Sequence, residues 1–160
     1  MPLKGACLCK AVQVEVADDF LPLRFSMCFC QNCATAHSAP GCLVAGMLTK
    51  FLKISGPLST YRDTNTDSGK TVMRAFCTSC GTPVRSWPEG NTDVTALRAG
   101  LFAMSTPNVS MSDDITSATS QAGFVFPQPV EELFMERRNE QFPWLAAQEG
   151  AKQYSRKGAY

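Results

Sequence analysis

The sequence predicts a mainly β fold with little helix, and three observations lead to this class. Short apolar stretches recur along the chain and are separated by polar segments or by turns containing Gly and Pro, which is typical of strands. In one of these stretches Val12, Val14 and Val16 alternate with Gln13 and Glu15, the pattern of a half-buried strand. Only three stretches are candidates for helices.

Four strands and one helix are predicted in the N-terminal part of the chain. After the first strand, "RFSMC" leads into a group of cysteines. "QNCATAHS" follows that group and contains neither Gly nor Pro, so we expect one or two turns of helix there. "CLVAGML" and "KFLKI" are apolar runs that precede a turn signal at Gly56-Pro57. The predicted strands are 12–16, 24–28, 42–48 and 50–54, and the helix is 31–38.

The C-terminal part begins with a loop and a hairpin. "DTNTDSGK" (63–70) has the composition of a hairpin or a loop tip. "TVMRAFC" and "TPVRSW" flank the third cysteine cluster as the two arms of a hairpin. "DVTALRAGLF" (93–102) predicts another strand, and the stretch 105–121, rich in Ser and Thr, predicts a long surface loop. "EELFMERR" (131–138) and "PWLAAQ" (143–148) are the best later helix candidates, although the first could pair as a strand.

Length and charge limit the classes of function. We expect a single domain, residues 1–160, large enough to build a core without disulfides. The formal net charge of +1 and the lack of any run of five like charges argue against nucleic acid or a membrane surface as a partner. No apolar block typical of a signal peptide or a membrane span is present, so we expect a cytoplasmic protein. Because thiols stay reduced there, metal ligation is favoured over disulfides.

Seven of the eight cysteines fall into three clusters. Cys7 and Cys9 are two residues apart, as are Cys28 and Cys30, and side chains at that spacing share one face of a strand. Cys77 and Cys80 precede Gly81 in a C-x-x-C-G knuckle, in which the glycine permits a positive φ. Two pairs supply four thiolates, enough to close a tetrahedral zinc site.

The central cluster has three ligands instead of four. Cys30 and Cys33 form a second knuckle, which Cys28 extends. Three protein ligands leave one coordination position for water or a substrate, the arrangement of catalytic zinc. The eighth cysteine, Cys42, lies in an apolar run, where a free thiol is often simply a small buried side chain. Spacing does not decide which of the pairs share a metal.

Three motifs together resemble a known family. "GACLCKAV", "CFCQNC" and "FCTSCGTPV", in that order, are similar to the glutathione-dependent formaldehyde-activating enzyme family, also called the centromere protein V domain family. The tail "ELFMERRNEQFPWLAAQEGAKQY" also resembles the end of that family, where an Arg and a Trp precede a Gly-Ala-x-Gln-aromatic run. The resemblance covers roughly residues 4–154, and seven cysteines in register make it specific.

The resemblance implies a β-tent fold of small coiled antiparallel sheets with two zinc ions per chain. Cys7, Cys9, Cys77 and Cys80 match the structural-zinc ligands of the family. Its catalytic-zinc ligands match Cys28, Cys30 and Cys33. The implied activity is that of a carbon–sulfur lyase, which makes or breaks the thiohemiacetal between glutathione and formaldehyde, and the implied partner is glutathione or another small thiol or thiol conjugate.

Three positions depart from the family pattern. Lys10 stands where the family usually has Gly, which affects the turn after the first cysteine pair. Phe29 replaces the usual His between two ligands and should face away from the metal. Ala103 falls where many members carry Asp, a possible acid, and this weakens the expectation of the formaldehyde reaction more than that of the metal sites.

Other interpretations of these residues exist. Eight cysteines could form a disulfide framework, but the C-x-C spacing and the expected compartment count against it. Cys42 or His37 could close the central cluster as a fourth ligand. His37 lies four residues after Cys33, on the same helix face, and could instead be a base at the edge of a pocket. Trp87 and Trp144 are expected to be packing residues.

Four arginines could contact a carboxylate-rich substrate such as glutathione, because a guanidinium matches carboxylate geometry. The competing interpretation is that most of them lie on solvated strand faces. These arginines are Arg62, Arg74, Arg85 and Arg98.

Two functions therefore follow from the sequence. The first is a zinc enzyme in which an open centre of three cysteines binds a thiolate or polarises a carbonyl. The second is a non-catalytic zinc module that scaffolds a protein partner. The fourth ligand of the Cys28, Cys30 and Cys33 metal distinguishes them: an exogenous molecule in the enzyme, and Cys42 or His37 in the module.

Overall fold

The computed structural model describes residues 2–103, 128–138 and 149–154. These residues form eleven short strands, one α-helix and several 3-10 turns. The helix α1 is Gln31–His37. The strands are β1 Leu3–Ala6, β2 Gln13–Val16, β3 Ser26–Cys28, β4 Cys42–Leu48, β5 Leu52–Ser55, β6 Leu58–Asp63, β7 Val72–Cys77, β8 Pro83–Pro88, β9 Val94–Arg98, β10 Glu131–Leu133 and β11 Lys152–Tyr154.

The strands form two sheets. The smaller sheet has the order β1-β2-β5 and is antiparallel throughout. The larger sheet has eight strands in the order β11-β10-β3-β4-β9-β8-β7-β6. Strand β10 runs parallel to both of its neighbours, β3 and β11, and the other pairs of this sheet are antiparallel. The C-terminal segment therefore joins the sheet beside β3, which leads into the central cysteine cluster.

Both sheets contribute to one apolar core. Val14 and Val16 of β2 pack in the same buried cluster as Val84 and Leu97 of the larger sheet. Phe102, in the 3-10 turn that follows β9, is fully buried among them. Burial of this apolar surface is the main non-covalent force that holds the sheets together.

The prediction of a mainly β fold with little helix is confirmed. The predicted strands around β2, β3, β4 and β5, the hairpin of β7 and β8, and helix α1 all form. Three further strands, β1, β6 and β11, were not predicted, since their sequences are too short or too polar to alternate clearly.

Two predictions need correction. The helix predicted at 131–138 is wrong: Glu131–Leu133 is strand β10, which was the alternative, and a 3-10 turn Met135–Arg137 follows it. The strand predicted at 93–102 ends at Arg98, and Ala99–Phe102 form a 3-10 turn because they bend back against β1. The loop predicted at 105–121, the helix at 143–148 and Trp144 lie outside the described residues.

Among the described residues, no helix is long and apolar enough to cross a membrane.

The turn after β5 places a glycine against the loop that follows the first cysteine pair. Gly56 has a φ of +106°, and a Cβ there would overlap the carbonyl oxygen of Ala11 and lie 2.8 Å from the Cα of Val12. Gly69 also has a positive φ, of +72°, but a Cβ there would meet nothing within 4 Å. The two glycines thus share backbone strain and differ in steric contact.

We predict that Gly56→Ala lowers the free energy of unfolding by at least about 3 kcal/mol, because backbone strain and steric overlap act together. Gly69→Ala, the matched control, should lose only about 1–2 kcal/mol from the strain of its left-handed conformation. Chemical denaturation of both variants measures the difference. Equal losses for the two would show that the contact with Ala11 is not tight.

Candidate metal centres

Four cysteines from two distant segments meet at one point. Cys7 and Cys9 follow β1 of the smaller sheet, Cys77 is the last residue of β7 in the larger one, and Cys80 lies in the turn between β7 and β8. All four sulfur atoms, the four-sulfur group, lie within 4.8 Å of one another. Adjacent sulfurs are 3.5 Å apart for Cys7–Cys9 and 3.8 Å apart for Cys9–Cys77. The group therefore links the two sheets.

The first pair reaches this point through a turn, and the expectation that it lies in a strand is wrong. Strand β1 ends at Ala6, and the N–H of Lys10 donates to the carbonyl oxygen of Cys7 at 2.9 Å. Lys10 has a φ of +63°, a conformation that glycine adopts at lower cost. Leu8 points away from the sulfurs, as predicted, and is 70% exposed.

The second pair forms the predicted knuckle. The N–H of Gly81 donates to the carbonyl oxygen of Cys77 at 2.9 Å, and Gly81 has a φ of +72°. Thr82 then connects the two turns, because its hydroxyl oxygen accepts from the N–H of Leu8 at 3.1 Å and lies 3.1 Å from the sulfur of Cys80. Hydrogen bonding from the Thr82 side chain lowers the pKa of Cys80 to about 5.

The second cluster is built where β3 ends and α1 begins. Cys28, Cys30 and Cys33, the three-sulfur group, have sulfur atoms within 4.8 Å of one another, and Cys28 and Cys30 are 3.5 Å apart. Cys30 is not in a strand as expected but is the N-cap of α1, and its sulfur accepts from the N–H of Cys33 at 3.3 Å. All three cysteines are buried.

Among the described residues, no fourth side chain completes this group. Cys42 lies opposite Cys28 in the β3–β4 ladder and packs in the same buried cluster, but its sulfur is not one of the three mutually close ligand atoms. His37 is at the last turn of α1, and neither of its nitrogens belongs to the group. Burial first, and then the charge of Arg98, lower the pKa of His37, so its imidazole is neutral near pH 7.

The three thiols differ in how readily they lose a proton. Hydrogen bonds from Cys28 and Cys30, followed by the charge of Arg98, lower the pKa of Cys33 to about 2 despite its burial. The neighbouring sulfurs of Cys30 and Cys33 raise the pKa of Cys28. Such a group holds one negative charge readily and resists further ionisation, so a cation is needed before all three sulfurs can be thiolates.

The sulfur spacing of both groups fits zinc. A tetrahedral ion with Zn–S bonds of about 2.3 Å places its sulfur ligands about 3.8 Å apart. The observed separations of 3.5, 3.8 and 3.5 Å are close to that value. Backbone N–H groups also donate to these sulfurs, from Val12 to Cys7 at 3.2 Å and from Cys33 to Cys30. Both groups could therefore hold a metal ion.

The four arginines considered from the sequence have different surroundings. Arg62 is exposed and pairs with Glu89, and Arg85 stacks over the Trp87 ring, 4.3 Å from its centroid. Arg74 donates to Asp63 at 2.7 Å. Arg98 is 5% exposed, donates to the hydroxyl of Ser86 at 2.9 Å and has a guanidinium nitrogen 4.0 Å from the Cys42 sulfur. Of these four arginines, Arg98 and Arg74 carry charges that lower the pKa of Cys33.

Sequence reasoning missed a polar network beside this group. Asn32, between Cys30 and Cys33, donates to Asp63 at 3.0 Å, and its amide oxygen accepts from the N–H of Asp67. Asp67 also accepts from the N–H of Gln31 at 2.7 Å. Composition alone predicts a hairpin or a loop tip at 63–70, and the polar residues Gln31 and Asn32 inside the C-x-x-C motif are the signal that could have located this contact.

The family model of the "Glutathione-dependent formaldehyde-activating enzyme" matches residues 2–116, which include all eight cysteines. The chain belongs to this family. Two of the positions that depart from the family pattern differ in their surroundings. Phe29 is buried beside the cysteines it separates, and Ala103 is exposed directly after the 3-10 turn Ala99–Phe102.

A solved structure from Rhodobacter sphaeroides is also similar. It shares 21% identity with this chain, with a TM-score of 0.45, and the match covers 61% of this chain and 85% of that one. A search of curated proteins gave no match.

We predict two zinc ions per chain in the purified protein, since each sulfur group fits one ion. Cys42→Ser should retain both ions, because the Cys42 sulfur lies outside the three-sulfur group. Elemental analysis after zinc reconstitution measures the ratio. One ion per chain, or loss of an ion in Cys42→Ser, would contradict the assignment.

Proposed function

We propose that the protein is a zinc-dependent carbon–sulfur lyase that makes or breaks the adduct between a small thiol, of the glutathione type, and an aldehyde. Family membership supports the class of reaction. The observation that carries the proposal is the contrast between a group of four sulfurs and a group of three. A closed set of four suits a structural ion, and an open set of three suits a catalytic one.

The ligands divide accordingly. Cys7, Cys9, Cys77 and Cys80 would hold the structural zinc, and the three-sulfur group would hold the catalytic zinc. A zinc ion bound by the three-sulfur group would supply a Lewis acid with one coordination position free for a thiolate or a carbonyl oxygen. Its sulfur ligands favour a sulfur substrate.

The residues around the three-sulfur group balance its charge. Three thiolates and one divalent cation sum to a net charge of −1, and an incoming thiolate adds another negative charge. Arg98 is buried near this centre and lowers the pKa of Cys33 through its charge. Its guanidinium is therefore suited to offset the charge of the bound thiolate. The charge of Arg74 is largely matched by Asp63.

Proton transfer completes the reaction. In the forming direction the thiol loses its proton, its sulfur forms a bond to the aldehyde carbon, and the carbonyl oxygen gains a proton, so that the atoms balance. His37 lies one helical turn after Cys33 and is neutral near pH 7, which suits it to accept the thiol proton. Ala103 offers no acid at its position, and the particular aldehyde is left open.

We predict opposite consequences for the removal of one ligand from each group. Structural zinc contributes about 10–16 kcal/mol of apparent binding energy, which is comparable to the net stability of a whole domain, about 5–15 kcal/mol. Cys80→Ala should therefore leave the chain unfolded or aggregated. Cys30→Ala should keep its strand signal and a cooperative melt, because its group closes only a short loop.

Circular dichroism and zinc analysis of the two variants measure this difference. The expected Cys30→Ala protein holds one zinc ion. If Cys30→Ala unfolds as completely as Cys80→Ala, the three-sulfur group is structural, and the protein is better described as a zinc module that scaffolds a partner.

We further predict that the protein accelerates exchange between glutathione, an aldehyde and their adduct. Exchange spectroscopy by NMR measures the rate at equilibrium with formaldehyde and with a larger aldehyde. Cys30→Ala should abolish the acceleration, and Cys42→Ser, the matched control, should preserve it. A wild-type rate equal to that of the uncatalysed mixture for every aldehyde would contradict the lyase assignment.

A further inference from the structure

A loop distant in sequence from Cys28, Cys30 and Cys33 is anchored to the two residues between the second and third of these cysteines. Asp63 at the end of β6 and the loop that follows it, up to residue 70, lie against the first turn of α1. The two residues between Cys30 and Cys33 are both held by this loop. The N–H of Gln31 donates to a carboxylate oxygen of Asp67 at 2.7 Å, and Asn32 makes three hydrogen bonds to the loop.

Asn32 uses its whole side-chain amide in these contacts. Its nitrogen donates to the carboxylate of Asp63 at 3.0 Å and to the carbonyl oxygen of Asn65 at 2.8 Å. Its oxygen accepts from the N–H of Asp67 at 3.0 Å. Hydrogen bonds from another part of the chain therefore hold Gln31 and Asn32, the two residues between Cys30 and Cys33. Because these residues precede Cys33, the same bonds restrict the direction of its side chain.

Asp67 extends this contact to the C-terminal segment. The carboxylate is 8% exposed, and its second oxygen accepts from the guanidinium of Arg137 at 2.9 Å. Arg137 follows β10, which pairs with β3, and Leu133 and Phe134 pack in the same buried cluster as the three cysteines. One carboxylate thus joins the loop, the start of α1 and the segment that covers the group.

We propose that Asp67 is the positioning residue of the three-sulfur group, and that together with Asn32 it holds the third sulfur where three ligands bind a metal and leave one coordination position open. This role rests on the proposed function of that group. Hydrogen bonds around metal ligands fix the ligand orientation, and their loss typically lowers metal affinity or activity by about 10–100-fold.

The test compares Asp67→Ala and Asp67→Asn with wild type after both zinc ions are replaced by Co²⁺. Asp67→Ala should melt cooperatively, show shifted cobalt absorption bands from the three-sulfur group and bind the second equivalent of metal about 10–100-fold more weakly. Asp67→Asn keeps an oxygen that can accept from Gln31, so it should lie closer to wild type. Glu89→Gln, which removes the exposed partner of Arg62, is the control and should leave the spectrum unchanged.

A purely structural role would lower the melting temperature without changing the cobalt bands. Wild-type bands and affinity in Asp67→Ala would therefore overturn the proposal, as would an equal shift in Glu89→Gln. If Asp67→Ala does not fold, Asn32→Ala is measured in its place, with the same expected and contradicting results.

Titration of the cobalt proteins with glutathione separates this proposal from the proposed function. If glutathione leaves the wild-type bands unchanged, thiol binding at the metal fails, and the spectra of the Asp67 variants still decide the positioning role. If glutathione binds wild type and Asp67→Ala with equal affinity and equal bands, only the positioning role fails.

Discussion

The fold depends on bringing four thiols from two sheets to one point. Cys9 and Cys77 are 68 residues apart in the chain. Cys9 lies in the turn after β1 of the smaller sheet, and Cys77 ends β7 of the larger one. Four sulfurs within 4.8 Å cannot all be thiolates unless a cation balances their charge. Metal binding by this group would therefore be coupled to the association of the two sheets. Two turns with positive φ, at Lys10 and Gly81, lie beside the sulfurs.

The three-sulfur group depends on this frame but is built differently. Its ligands come from one short segment, so the segment itself determines their separation. Residues distant in sequence form its surroundings. Arg98 lies at the end of β9, Asp67 lies in the loop before β7, and Phe134 belongs to the C-terminal segment. The four-sulfur group joins the two sheets, so a vacant ligand position there would weaken the fold. The three-sulfur group does not join the sheets, so an open coordination position there would cost little stability.

Patterns local in sequence predicted much of this arrangement. The strand that contains Val14 and Val16 follows from the alternation of apolar and polar residues, and the helix after Cys30 follows from the lack of Gly and Pro in that segment. Features set by tertiary contacts were not predictable. Glu131–Leu133 is a strand because it pairs with β3, although its sequence favours a helix as much as a strand. Cys7 and Cys9 converge through a turn, which places their sulfurs together as well as a strand would.

An anomalous difference map at the zinc edge, from crystals of the purified protein, would show directly which side chains hold metal. We expect two peaks, one within the four-sulfur group and one at Cys28, Cys30 and Cys33, the latter with a fourth ligand that does not come from the chain. A peak at the three-sulfur group completed by Cys42, by His37 or by any other residue of the protein would contradict an open catalytic centre.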